Sequence, residues 1–292
     1  MKILVQRTLI TGLLRTLAVL PYGMVARIGE WLGSLLYKLP SKRKRILHTN
    51  LDLCFPEKSA EERLALGHAS FQHVIRSYLE RGTQWYGSRR TIKKLVQIES
   101  AIALQDKYEQ PTIFLGFHFA AIEATCMYYS IMHPVASIYT PMSDTVTDTI
   151  ALSQRSRFGT EMISRHGSAR DILKVLKSGK PIMLAADMDF GLRDSVFVPF
   201  FGVQACTLTA VSRLAQLSGA RVVPFVAEVL PDYKGYKLQI FDALDNYPSG
   251  DVRTDALLMN QFLEERIRQI PEQYYWVHRR FKRRPPGEPS VY

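Results

Sequence analysis

From Lys93 onward the sequence alternates short continuous apolar runs with amphipathic runs of helical length, and this alternation restricts the fold more than any other feature. Residues 112–117, 136–139, 182–186, 222–227 and 237–241 read as strands, and 274–277 as a last short strand or turn. Residues 120–132, 144–157, 169–176, 208–218 and 254–269 read as helices between them. Strands that are apolar at successive positions must be covered on both faces. The pattern therefore predicts an α/β fold, a mixed, mostly parallel sheet flanked by helices. Upstream, residues 60–85 read as a long helix that opens on a capping box, Ser59 with Glu62 three positions on.

Residues 1–39 are apolar but carry Arg7 and Arg15. An arginine near the centre of a spanning helix costs about 2.5–3.5 kcal/mol, whereas each leucine returns only about 0.3–0.6 kcal/mol. Helical spacing puts Leu9, Leu13, Leu17 and Leu20 on one stripe with the arginines opposite, the pattern of a helix lying in a membrane interface. Arg15 also breaks the apolar core that a cleavable signal peptide needs. The run KLPSKRKR at 38–45 follows directly, either as a solvated turn or as a site for anionic headgroups at about 1 kcal/mol per charge. These features divide the chain into an N-terminal membrane-associating helical segment, 1–45, and a main domain, 46–292.

The formal net charge of +11 calls for anionic partners. No zinc-finger spacing, RNA-binding aromatic signature or basic heptad region is present, which argues against nucleic acid. Cys54, Cys126 and Cys206 are scattered and odd in number, so neither a disulfide framework nor structural zinc is expected. No Gly-x-Ser-x-Gly elbow points to a serine acyl-enzyme.

Three segments carry chemistry. In TIFLGFHFAAIEAT a buried strand ends at Phe117, His118 follows at once, and the next helix contains Glu123. Carboxyl ends of strands are where α/β sheets place ligands. With His118 in the turn and Glu123 in the helix's first turns, the carboxylate can accept from one imidazole nitrogen and leave the other as a general base. In QRSRFGTEMISRHG, Arg155, Arg157 and Arg165 offer guanidinium forks suited to phosphate, or form a solvated basic loop. In LAADMDFGLRDSVFVPFFG a strand runs into Asp187 and Asp189, which can bind metal, orient a base or cap a loop. Two carboxylates without a neighbouring histidine make a poor metal cage, so no metal is expected. The VFVPFFG that follows reads as core or as the lining of a chain-binding groove. The C-terminal EQYYWVHRRFKRRPPGEPSVY reads as a solvated tail or as a dock for a polyanion.

Taken together, HFAAIE, QRSRFG with the following MISR, DMDFG-x-x-x-SVFVPFFG, SGARVVPFV and PEQYYWVHRRFKRRPPG resemble, in order, the bacterial late acyltransferases of lipid A biosynthesis, of lauroyl/myristoyl type, within the glycerolipid acyltransferase superfamily. The resemblance implies an acyl–acyl carrier protein donor and a Kdo2-lipid IVA-type lipid A precursor as acceptor, acylated on the hydroxyl of a 3-hydroxyacyl chain. It implies His118 and Glu123 as the catalytic pair, and Arg155, Arg157 and Arg165 as phosphate-side arginines. Asp187 and Asp189 join these as substrate-binding candidates. It implies no cofactor and a place on the cytoplasmic face of the inner membrane.

Overall fold

The computed structural model describes residues 2–292. The chain begins with helices: α1 (Lys2–Val19), α2 (Tyr22–Tyr37), α3 (Lys42–Cys54), α4 (Ala60–Tyr86) and α5 (Arg89–Leu95). The α/β part follows as β1 (Val96–Ser100), β2 (Thr112–Gly116), α6 (Ile122–Met132), β3 (Ala136–Tyr139), α7 (Thr145–Ser156), β4 (Glu161–Ser164), α8 (Ala169–Lys177) and β5 (Ile182–Ala185). It ends with β6 (Ser195–Phe200), β7 (Val203–Leu208), α9 (Ala210–Ser218), β8 (Arg221–Val229), β9 (Tyr236–Ile240) and α10 (Val252–Gln269).

Seven strands form one sheet in the order β1-β9-β8-β2-β5-β3-β4. Only the β8–β9 pair is antiparallel, and the other five pairs are parallel. The α/β, mostly parallel mixed sheet expected from the sequence is therefore the observed fold. β2 is buried at every position, as its unbroken apolar run requires. Phe114, Met183, Val223 and Phe225 pack on one face with α6, while Ile113, Leu115, Ile182 and Val222 join a larger cluster with α8, α9 and α10 on the other.

β6 and β7 stand apart as an antiparallel hairpin. Its two-residue turn, Phe201-Gly202, has positive φ at both positions (51° and 76°), the twist that tight hairpins favour. The segment VFVPFFG is thus one arm of a hairpin whose Val198 and Phe200 are core.

The capping box opens α4 as expected, with the Glu62 N–H donating to Ser59 Oγ and the Ser59 N–H donating to Glu62 Oε2. α4 is the post on which the N-terminal helices lean. A Cβ on Gly29 or Gly33 would lie 2.7 Å from the Cα of Arg76 or Gln72, so α2 and α4 meet backbone to backbone. The leucine stripe expected on α1 is divided between two environments. Leu17 is buried beside Leu14, Trp85 and Val146 and Leu20 packs half-buried against that cluster, whereas Leu9 and Leu13 are exposed. Among the described residues no helix is long and apolar enough to cross a membrane.

The C-terminal segment is not a solvated tail over most of its length. Trp276, Val277, Arg280 and Phe281 are buried. Arg280 donates to the Cys206 carbonyl and to Thr207 Oγ1, and Arg284 donates to the Gln204 carbonyl. Arg280 and Arg284 thus act as cross-links to β7, Arg283 pairs with Asp189, and Lys282 is exposed. Residues 274–277 form no strand, only an isolated antiparallel bridge between Tyr274 and Phe119.

Candidate active site

His118 sits two residues past β2, at the carboxyl edge of the sheet. Gly116, the last residue of that strand, is required by a close approach: a Cβ there would lie 2.4 Å from Cζ of Phe225. The Tyr275 N–H donates to the His118 carbonyl and the Ala120 N–H donates to the Gln273 carbonyl, so the C-terminal segment clamps the histidine turn on both sides.

The partner of the imidazole is Asp187, not Glu123. Asp187 Oδ1 lies 2.6 Å from His118 Nδ1, and its Oδ2 accepts the His118 backbone N–H at 3.0 Å. Asp187 is 1% exposed. Burial pushes its carboxyl up, but the His118 ring and the hydrogen bonds it receives outweigh this and hold it below the ordinary aspartate value. A carboxylate on Nδ1 fixes the proton there and leaves Nε2 as the basic nitrogen.

Glu123 lines the same cavity, but its oxygens are engaged elsewhere. Arg155 approaches in a fork, Nε at 2.9 Å from Oε1 and Nη2 at 2.5 Å from Oε2, and Trp85 Nε1 donates to Oε1 at 2.7 Å. Burial raises the Glu123 carboxyl, yet Arg155, Arg81 and the Trp85 bond together bring it down to about 2. Glu123 is therefore an ionised member of an ion pair in the wall. His118 lies in the turn before α6 and faces the loop after β5, while Glu123 in the first turn of α6 faces α4 and α7.

The arginines separate into three situations. Arg155 belongs to the cavity and to Glu123. Arg157 lies against the end of α4, donating to the Gln84 and Gly87 carbonyls and covering the Phe158 ring, and burial with the nearby Arg89 lowers it to about 10. Arg165 is exposed and rests over the Phe190 ring. Asp189 does not meet the cavity: it accepts from Arg283 Nη1, the Arg283 N–H and the Gly191 N–H, which ties the loop after β5 to the C-terminus. The Asp189 N–H in turn donates to Nε2 of His278. Burial first, and then the neighbouring His118 ring, lower His278 to about 4, so it is a neutral acceptor. Among the described residues no group of three metal-ligating side chains forms.

The cavity holds about 400 Å³ and runs along α6 and β3. Its mouth carries His118, Glu123, Arg155, Arg81, Ser77 and Tyr275. Its interior is mainly apolar, with Met127, Val135, Met162, Met183 and Phe225, and also carries the hydroxyls of Ser130, Ser137 and Thr160. Arg81 was not singled out by motif. It stacks over Tyr78 and Trp85 at 4.7 and 5.3 Å, and no carboxylate among the described residues pairs with it. The available signal was the spacing Ser77, Arg81, Trp85, one face of α4 at every fourth residue.

An imidazole–carboxylate pair and a free guanidinium at the mouth of an apolar cavity are the equipment for moving a proton while an apolar chain is held in place. A family model described as bacterial lipid A biosynthesis acyltransferase matches residues 2–283. The lipid A biosynthesis lauroyltransferase of Escherichia coli K12 is 36% identical over 284 residues, covering 96% of this chain and 92% of that protein. The lipid A biosynthesis palmitoleoyltransferase of the same organism is 32% identical, covering 94% and 90%. Its lipid A biosynthesis myristoyltransferase is 28% identical, covering 92% and 83%. The chain belongs to the bacterial lipid A biosynthesis acyltransferase family, and it is an acyltransferase.

Proposed function

We propose that this protein moves a fatty acyl chain from an acyl carrier protein thioester to a hydroxyl on the 3-hydroxyacyl chains of a lipid A precursor of Kdo2-lipid IVA type. The observation that carries the reading is the His118–Asp187 pair at the mouth of an apolar cavity. The acceptor hydroxyl gives its proton to His118 Nε2 as its oxygen attacks the thioester carbon. Asp187 stabilises the imidazolium that forms. The carbon–oxygen bond is made, and the negative charge on the former carbonyl oxygen is met by Arg81. Collapse then breaks the carbon–sulfur bond, and the imidazolium returns its proton to the leaving thiolate. No metal or organic cofactor enters these steps. Glu123 keeps Arg155 paired and adds a fixed negative charge to the same cavity. This replaces the His118–Glu123 pairing with a His118–Asp187 pairing and leaves Glu123 in a supporting electrostatic role.

The membrane is proposed as the working surface, on the cytoplasmic face of the inner membrane. Ile3, Leu4, Leu9 and Leu13 of α1, with Met24, Trp31 and Leu35 of α2, are exposed, Trp31 at 66%. Lys38, Lys42 and Arg45 beside them are exposed too, a basic rim next to an apolar face. The net charge of +11 suits an acidic carrier protein and a phosphorylated glycolipid alike.

The test is transfer by purified protein in mixed micelles. Acyl carrier protein loaded with one fatty acid and a lipid A precursor should give a product heavier by one acyl group, read by mass spectrometry. Transfer only from acyl-CoA, or only to a lysophospholipid, would refute the donor or the acceptor assignment.

A further inference from the structure

The cavity has a chemical floor. α6 starts at the mouth, where Glu123 lies, and Ser130 is seven residues further along, about 10 Å at 1.5 Å per residue. β3 runs alongside from Val135, at the amino edge of the sheet, to Tyr139 and Thr140 at the carboxyl edge, and all three line the cavity. The long axis is therefore parallel to the strands, with the chemistry at one end and Ser130, Val135 and Thr160 at the other.

At that far end two hydroxyls close the space. Thr160 Oγ1 donates to Ser130 Oγ at 2.7 Å, and Ser130 Oγ donates to the Cys126 carbonyl at 2.8 Å. Ser130 and Thr160 are each 9% exposed. Both hydroxyl hydrogens are thus committed, in a chain that ties α6 to the turn before β4. The wall they make is polar and stands beside Met127, Val135, Met162, Met183 and Phe225, with Ser137 of β3 the neighbouring hydroxyl along the side. A methyl terminus gains nothing by pressing on hydroxyl lone pairs, and a longer chain could pass only by breaking the Thr160–Ser130 bond.

We propose that the Ser130–Thr160 hydroxyl pair is the stop that sets acyl chain length in this protein. The proposal rests on the reading that the cavity holds the acyl chain of the donor. The rank order of chain lengths is fixed by where the terminal methyl meets this pair. Each methylene that fits or fails to fit changes selection by about fourfold, the worth of one buried CH₂.

The experiment is a competition between carrier-bound acyl chains of several lengths, all present together, with products counted by mass spectrometry. Wild type, Thr160→Ala, Ser130→Ala and Thr160→Leu are compared. The two alanine variants open the floor and should shift the most abundant product to a longer chain, raising its ratio to the wild-type product at least fourfold. Thr160→Leu should shift it to a shorter one. A circular-dichroism melt and turnover with each variant's own preferred chain show that the variants remain folded and competent. Folded, active variants that keep the wild-type distribution overturn the stop while leaving the transfer reaction intact. A wild-type protein that transfers no acyl chain removes the reading of the cavity, and the stop with it.

Discussion

Replacing Asp187 by asparagine exchanges one carboxylate oxygen for an NH₂ group and tests which carboxylate serves the imidazole. Oδ2 accepts a fixed backbone N–H, that of His118. The carboxamide oxygen must take that place, because an NH₂ there would oppose a donor with a donor. The NH₂ then faces Nδ1, 2.6 Å away in the native pair. It can only donate, so the ring shifts its proton to Nε2 and the base is lost. The imidazolium also loses a counter-charge, which at about 4 Å and an effective dielectric near 20 is worth about 4 kcal/mol. At one power of ten per 1.36 kcal/mol, Asp187→Asn should lower turnover by about 10³-fold. The assay is turnover at saturating donor and acceptor, with a melt to show that the fold persists. His118→Ala should lose at least about a hundredfold, and the double variant should be little worse, since the two residues act as a unit. Asp187→Asn with turnover within tenfold of wild type would refute the pairing.

Three further outcomes follow from the geometry. Glu123→Gln leaves Arg155 partly buried without its carboxylate and should cost about 3 kcal/mol of stability, while adding Arg155→Met should restore much of it; equal melting temperatures in the single and double variants would contradict this. His278 and His73 are both lowered to about 4, chiefly by burial, so the folded protein binds fewer protons than the unfolded chain between about pH 4 and 6.5. Stability from these groups is fully present above about pH 6.5 and is lost as pH falls towards 4. Urea titrations across that window should show it, and His73→Leu should reduce the slope by about one proton. Trp31→Glu with Leu35→Glu should lower binding to anionic vesicles at least tenfold while leaving the melt unchanged, and unchanged binding would place the membrane contact elsewhere.

Where the sequence is legible, a local signal agrees with the tertiary environment. β2, β5 and β8 are buried at nearly every position and read as continuous apolar runs, β3 is half-buried but still apolar enough to read, and the α4 capping box is visible as Ser59 and Glu62. β1 and β4 escape notice because VQIES and EMIS are edge strands, largely exposed or half-exposed, with no apolar run to betray them. The β6–β7 hairpin is hidden because its turn is Phe-Gly rather than Asn-Gly. His118 is legible from its place after a buried strand, and Asp187 from its place at the end of another as a group able to orient a base, but that the two pair is not. Glu123 is near in sequence, whereas Asp187 is brought beside it by the β2–β5 pairing, in which Gly116 aligns with Ala185. That adjacency of two strand ends is a property of sheet order, and the motif spacing carries no trace of it. The C-terminal arginines mislead for the related reason that composition cannot distinguish a solvated cation from one held by a buried carbonyl.

The most direct test of the account is the mass of lipid A from a bacterium that carries this gene, with and without the chromosomal copy and with the copy restored as wild type or as His118→Ala. The account predicts that loss removes one secondary acyl chain from the major lipid A species, that wild type restores it, and that the His118 variant, present at equal abundance, does not. Identical lipid A spectra in all four strains would contradict it.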